Sequence, residues 1–199
     1  HWAGVDATTI VILDVITRYW VGDITVPGEP SSIDVEAVFA LALGSQGLEG
    51  FIDDASADNT ITLDPEGHQP VLLVMSDNGP QMRSGTTRSF MALNWLATHY
   101  GRPGTPTDQA WIETHFGHVK HEQPHLDMIT SIEALRAELA VVRERYNTVR
   151  LHAAIGYVTP AQEHCGEGPS IREARVEGLR QARVRRIRYH QHLSSDPSQ

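Results

Sequence analysis

The sequence predicts an α/β protein, and three observations carry that reading. Thr9 to Ile16, TIVILDVI, is a β-branched and apolar run. Val71 to Met75, VLLVM, is a second apolar run that changes abruptly to Ser76-Asp77-Asn78-Gly79-Pro80. Short apolar runs bounded by turn residues read as strands. Between and after them lie segments with capping residues and apolar positions at helical spacing. With 199 residues the chain is long enough for one domain with a sizeable core, perhaps carrying an appendage.

Each element follows from its residues. Thr9–Ile16 is the first strand, Thr17-Arg18 a turn, and Tyr19–Val26 a second strand antiparallel to the first. Pro27-Gly28-Glu29-Pro30 ends it. Ser31-Ser32 caps a helix over about Ile33–Leu43, with Val35, Val38, Phe39, Leu41 and Ala42 as its apolar face. Residues 44–70, rich in Gly, Asp and Ser, read as a surface insertion. Val71–Met75 is a buried strand ending in a polar turn, Thr86 to about Trp95 a helix, and Ala97–Tyr100 a short strand. Gly101–Asp108 is a loop whose last residue can cap a helix reaching about Glu122. Ser131 opens a strong helix to about Tyr146, and residues 147–162 are irregular. From 166 onward the chain is polar and arginine-rich, so residues 1–165 form the core and 166–199 an arm.

The formal net charge is −9, which taken alone argues against a nucleic-acid partner. Its distribution argues otherwise. Residues 172–199 hold seven arginines against three acids, a balance of +4, whereas residues 1–171 carry −13. An acidic body with a basic arm is the pattern of a chain that presents its cations in one place. Lys120 is the single lysine. One cysteine, Cys165, excludes an internal disulfide framework and a multi-cysteine zinc site. No apolar run approaches the length of a membrane span, and no signal peptide is visible at the N-terminus, so a cytoplasmic protein without a membrane partner is expected.

The candidate chemistry lies in carboxylates. Asp77 stands just past the end of a predicted strand, where open α/β sheets place their clefts. Glu113 follows 36 positions later on a predicted helix, and Lys120 seven residues beyond it. Seven residues turn a helix by about 700°, so Lys120 returns to nearly the same face about 10 Å along the axis. Gly117 lies on that face and leaves the backbone open to a close-approaching partner. Taken singly, an Asp in a turn is a turn-former and a Glu on a helix a solvated charge. The surrounding phrases are what raise this pair above the many others in the chain.

Those phrases are Ser76-Asp77-Asn78-Gly79-Pro80-Gln81, then Pro106-Thr107-Asp108-Gln109-Ala110-Trp111-Ile112-Glu113 with Phe116 and Lys120. Tyr146-Asn147-Thr148-Val149-Arg150-Leu151-His152 and Gly156-Tyr157-Val158-Thr159-Pro160 complete the set. Over roughly residues 9–163 the sequence resembles the catalytic core of retroviral-type integrases and the related insertion-sequence transposases, whose motif is Asp, Asp, 35 residues, Glu. The resemblance implies an RNase H-like fold with a mixed five-stranded sheet flanked by helices. It implies DNA transposition or integration by metal-dependent phosphoryl transfer, in which strand nicking is followed by attack of the freed 3′-hydroxyl. Two Mg²⁺ ions, or Mn²⁺, are implied between carboxylates, with Asp77 and Glu113 as catalytic metal ligands and Lys120 on DNA. A homo-oligomer acting on element ends and target DNA is implied as well.

The sequence departs from the family pattern at its beginning. The family's first Asp precedes a strand ending in an "LD..SR" phrase, which here is Leu13-Asp14-Val15-Ile16-Thr17-Arg18. Asp6 has a D-x-T setting but stands only eight positions before Asp14, too few for a strand, a turn and a return strand. Asp14 precedes Asp77 by 63 positions, a near-family spacing that the insertion at 44–70 would make accidental. The expectation is that the first strand and the first catalytic Asp are missing, with Asp14 the nearest stand-in. A non-catalytic or decayed transposase fragment that binds DNA or other transposase subunits is the alternative function.

Other candidates weigh less. His115, His118, His121 and His125 recur at helical spacing but read as solvated helix histidines rather than zinc ligands. Cys165 beside His164 lacks an orienting third group for nucleophilic chemistry. Trp2, Trp20, Trp95 and Trp111 read as core, with Trp111 close enough to Glu113 to line a site. Tyr146, Asn147, Arg150 and His152 read either as helix-end packing or as support for the helix behind the active site. Arg172, Arg175, Arg180, Arg183, Arg185, Arg186 and Arg188 are either a solvated helix or a phosphate-contacting arm, with Arg183, Arg185 and Arg186 its DNA-binding candidates.

Overall fold

A computed structural model describes residues 1–48, 72–77, 79–101 and 110–195. The insertion expected over 44–70 falls outside the described residues from 49 onward, as do Asn78, the cap Asp108 and most of the loop before it. Two compact units share the chain. The first comprises His1–Val15 and Trp20–Arg143, the second Ile16–Tyr19 and Glu144–Gln199.

The first unit opens with an antiparallel pair, β1 (Ala7–Leu13) and β2 (Trp20–Pro27). The first strand ends three residues earlier than its apolar run suggested, because the pairing slips between Ile12 and Leu13. Ile12 faces Gly22 and Leu13 faces Trp20, so Val21 is the extra residue of a bulge. The connection is therefore wider than a two-residue turn, Arg18 takes a left-handed φ of 65°, and Asp14 lies past the strand end. Helix α1 (Ser32–Ser45) starts at the expected cap: Ser31 Oγ accepts from Asp34 N, and Asp34 Oδ2 accepts from Ser31 N in return. Its buried residues are Val35, Val38, Ala42 and Leu43. Leu41, assigned to the apolar face, is instead exposed, and Leu43 takes its place.

A second, parallel pair follows. β3 (Leu72–Ser76) and β4 (Leu96–Tyr100) are joined through α2 (Pro80–Arg83) and α3 (Gly85–Leu93). Met82, Met91 and Leu96 pack with Val35 and Leu43 of α1, and Ile10 of β1 and Val74 of β3 lie against the same cluster. One helix thus covers residues of both sheets. β3 was expected to be buried, but Leu72, Leu73 and Met75 are exposed. The physical reason is its position: among the described residues β4 is its only neighbour in the sheet. The described sheet structure is two two-stranded sheets, β1-β2 and β3-β4, rather than five strands in one.

Helix α4 (Ala110–Glu122) and helix α5 (Ile132–Thr148) as far as Arg143 complete the unit, with a 3-10 turn over Pro124–Met128 between them. Leu126, Leu135 and Leu139 are fully buried, and burial of each such side chain contributes roughly 1.5–3 kcal/mol. Two arginines seven apart on α5 reach β2. Arg136 donates twice to the Thr25 carbonyl, at 3.0 and 2.6 Å, and Arg143 donates to Asp23 Oδ1 at 2.6 Å. Beside them Trp2 Nε1 donates to Thr9 Oγ1 at 2.7 Å, and Thr9 and Thr25 share a buried hydroxyl hydrogen bond at 2.8 Å.

In the second unit the end of α5 buries Tyr146 and Asn147, and the Tyr146 ring meets His152 edge-on. His152 pairs with Val158 across a 3-10 turn, Ala153–Ile155, that closes at Gly156. Thr159 and Gln162 then form a capping box around Pro160, and α6 (Pro160–His164) leads into the long helix α7 (Gly168–Ser195). Tyr19 stacks on His164 with ring centroids 4.3 Å apart. Gly156 has a φ of +75°, and a Cβ there would come within 2.6 Å of Arg172 Cδ. That arginine is held by Glu163 and by the Ile155 carbonyl, so it cannot retreat freely. Gly156→Ala should therefore cost about 1–2 kcal/mol from the left-handed backbone alone, with the crowding added. Urea unfolding should show a lower midpoint at an unchanged slope.

Candidate active site

Asp77 is the first residue past β3 and is exposed. Its local geometry comes from the turn. Oδ1 accepts from Gly79 N at 3.0 Å, and Pro80 begins α2 with a fixed φ and no donor to satisfy. A Cβ at residue 79 would come within 2.7 Å of Gln81 Nε2 and 3.0 Å of Asp77 Oδ1, so the turn is tight around the carboxylate. Because β3 and β4 are parallel with Ser76 opposite Tyr100, the chain leaves both strands at the same end of the sheet. Gly101 N extends that end by donating to the Ser76 carbonyl. From there the chain runs to α4, whose first turn carries Glu113, also exposed. A carboxylate in a first turn is favoured by the helix dipole.

Lys120 lies farther along α4 and is engaged within the first unit. Its Nζ donates to the His1 carbonyl at 2.6 Å, stands 3.7 Å from Asp127 Oδ1, and sits 4.9 Å from the Trp2 ring centroid. A Cβ at Gly117 would meet nothing within 4 Å, so this stretch of the helix is open. The histidines divide. His115 is buried, edge-on to Trp20 at 4.7 Å between ring centroids, and is a core residue rather than a solvated one. The solvated reading fails there because residue 115 sits on the face of α4 that also buries Val119. His118 and His121 are exposed, and His125 contacts Glu138 at 3.1 Å. The side chain of Trp111 lies outside the described residues.

Neither earlier aspartate joins the pair in a metal-sized group. Asp6, with a φ of 46°, is exposed and bonded to His1 Nε2 at 2.9 Å. Asp14 lies in the turn after β1. Among the described residues no three of His, Cys, Asp and Glu gather as a group that could hold a metal ion. The donor chemistry of Asp77 and Glu113 suits a hard divalent cation.

The partner arginines of Asp23 and Glu163 escaped the sequence reading. Burial raises the Asp23 pKa, and Arg143 beside it pulls in the opposite direction. In the second unit Arg172 grips both carboxylate oxygens of Glu163, and Arg175 donates to the carbonyls of Gly156 and Tyr157. The legible signal for the first was the seven-residue spacing of Arg136 and Arg143 on one helix face.

The architecture is an α/β core with an acidic residue past a strand end and a second on the helix that follows the neighbouring parallel strand. The integrase core domain family model matches residues 95–160. The chain is 35% identical over 94 residues to an uncharacterized 39.2 kDa protein of insertion element IS476 from Xanthomonas euvesicatoria, covering 45% of this chain and 26% of that protein. It is 30% identical over 98 residues to the transposase for insertion sequence element IS904 from Lactococcus lactis, covering 48% and 38%. The chain thus spans between about a quarter and two-fifths of the length of these curated relatives. The crystal structure of the catalytic core domain of BIV integrase shares the fold with a TM-score of 0.53 at 18% identity, over 85% of this chain and 91% of that one. A simian T-cell lymphotropic virus intasome structure, in complex with a PP2A regulatory subunit, gives the same TM-score at 14% identity, over 77% and 46%. Residues 95–160 thus match an integrase core domain, within a chain similar to insertion-element proteins in sequence and to integrase catalytic cores in fold.

Proposed function

We propose that this chain is the catalytic core of an insertion-element transposase, cutting DNA strands and joining a freed 3′-hydroxyl to a target phosphodiester. The observation that carries the reading is Asp77 past the end of β3 and Glu113 on the helix that follows the parallel neighbour β4. Each is exposed, one past β3 and the other in the first turn of α4. These two carboxylates would hold divalent ions of the Mg²⁺ or Mn²⁺ class. Such a pair, when bound, steadies the attacking and leaving oxygens of an in-line displacement. The chain's own contribution is positional. The Gly79-Pro80 turn fixes Asp77, and the helix dipole favours Glu113 as a carboxylate. Lys120, on the same helix face, supplies a cation toward a DNA end once its contact with His1 yields.

The finer fold belongs to the same proposal: an RNase H-like sheet of five strands, completed on the edge of β1 that faces away from β2. Strand alternation identifies that edge. Asp6 accepts from Gly28 N on the β2 side, so the N–H and C=O of Ala7, Thr9 and Val11 point the other way. Ala7 already exchanges both backbone hydrogen bonds with Trp2 there. A strand continuing that pairing would run antiparallel to β1 and bring the third carboxylate. The active assembly would be a homo-oligomer holding two DNA ends.

A second reading, a non-catalytic relative that binds DNA or other transposase subunits, is favoured by the lack of a three-carboxylate group among the described residues. Mn²⁺-dependent nicking and joining on supercoiled DNA separates the two. Activity that Asp77→Asn and Glu113→Gln each remove supports the enzyme. Activity untouched by both, or absent even from a chain whose β1 edge has been completed, supports the binding protein.

A further inference from the structure

We infer that the distal half of α7 is a duplex-DNA-binding helix that enters the major groove, while its proximal half serves only to anchor it. The inference rests on the DNA-acting reading above and adds a site to it.

The arginines of α7 divide sharply by what they touch. Arg172 and Arg175 are spent within the second unit, on Glu163 and on the carbonyls of Ile155, Gly156 and Tyr157. Arg180 forms a bidentate pair with Glu177 one turn back. Beyond Glu177 the composition changes: residues 178–195 contain five arginines and no acid. Arg183, Arg185, Arg186 and Arg188 are exposed, and none makes an ion pair among the described residues. A helix with so many uncompensated like charges repels itself and gains most from a polyanion.

The angular distribution selects the kind of polyanion surface. At 100° per residue, Arg185, Arg186 and Arg188 stand roughly 200°, 300° and 140° around the axis from Arg183. Cations on all sides do not suit docking on a flat acidic face, which would satisfy one stripe and strand the others. They suit a trough with a phosphate wall on each side. The major groove of B-DNA is about 12 Å wide and admits an α-helix. The half-exposed Val184 and Ile187 lie between these arginines, where a groove floor offers thymine methyl groups and base edges.

The test is the salt dependence of binding to a fluorescein-labelled random duplex, read by anisotropy without divalent metal. The intact chain is compared with one in which Arg183, Arg185, Arg186 and Arg188 are all replaced by Gln. Each phosphate contact contributes about −0.9 to the log–log slope, so the variant should be shallower by about 3.6. Between 50 and 200 mM salt the intact chain should lose about 10²-fold more affinity than the variant. Circular dichroism should show equal helix content in both, because these side chains are exposed. Equal slopes would overturn the inference. So would a variant that alters self-association in sedimentation while leaving DNA binding unchanged, since the arm would then dock on a second copy. Metal-dependent nicking, lost in Asp77→Asn, reports the catalytic reading separately, so either proposal can fail alone.

Discussion

A chain extended before His1 by a strand that pairs with the open edge of β1 and carries an Asp should nick DNA at least about 10²-fold faster than the chain alone. Two carboxylates supply −2 against the +4 of a metal pair, and a third normally helps to hold both ions and to position the nucleophile. In-line phosphoryl displacement uses both ions, one on the attacking oxygen and one on the leaving oxygen. A hundredfold gain corresponds to about 2.7 kcal/mol of barrier, a modest demand for completing such a site. The gain should vanish with Asp77→Asn or Glu113→Gln, and an extension carrying Asn instead of Asp should give none. Equal rates with and without the extension, both abolished by Asp77→Asn, would show that Asp6 or Asp14 reaches the site after all.

Removing Arg143 should strongly destabilise the chain. Asp23 is largely buried, and burial raises its pKa even with Arg143 2.6 Å away. Arg143→Met leaves that carboxylate buried without its charge partner, which costs about 3 kcal/mol. For a chain of this size the midpoint of thermal unfolding should fall by roughly 6–12 °C. The pH dependence has a definite sign. A carboxyl whose folded pKa is raised favours the fold most below its unfolded pKa, and that advantage is lost as pH rises through the folded value. Without Arg143 the folded pKa climbs further, so the deficit should be full at pH 7 and shrink toward pH 4. The double replacement Asp23→Leu with Arg143→Met should recover much of the loss, because no buried charge remains.

Local features of the fold were legible because they depend on local chemistry. The β-branched run at Thr9–Leu13 and the Ser31 cap each specify their structure within a few residues, whereas the helix that Thr159 and Pro160 start lies in a stretch read as irregular. What escaped depends on neighbours distant in sequence. Leu41 and Leu43 are equally apolar, and only the crossing of α1 over both sheets decides that Leu43 is buried. VLLVM looks like a central strand, yet Leu72, Leu73 and Met75 are exposed, with β4 as the one sheet neighbour of β3 among the described residues. His115 joins the core because Trp20, 95 positions earlier, lies against it. The Asp23–Arg143 pair spans 120 positions, so the spacing of Arg136 and Arg143 marks a helix face but not the carboxylate it meets. Spacing and flanking phrases single out Asp77 and Glu113 as candidates, while the anchoring role of Arg172 and Arg175 appears only where carbonyls of the 155–157 turn meet α7.

The central claim is that Asp77 and Glu113 share divalent metal. Crystals of the chain soaked in Mn²⁺ and measured at the manganese absorption edge test it most directly. The account predicts anomalous density at about 2.0–2.2 Å from carboxylate oxygens of both residues, with a second peak about 3.5–4 Å from the first once a third carboxylate is in place. Asp77 and Glu113 on opposite faces, or Mn²⁺ bound elsewhere with neither carboxylate in contact, would contradict it.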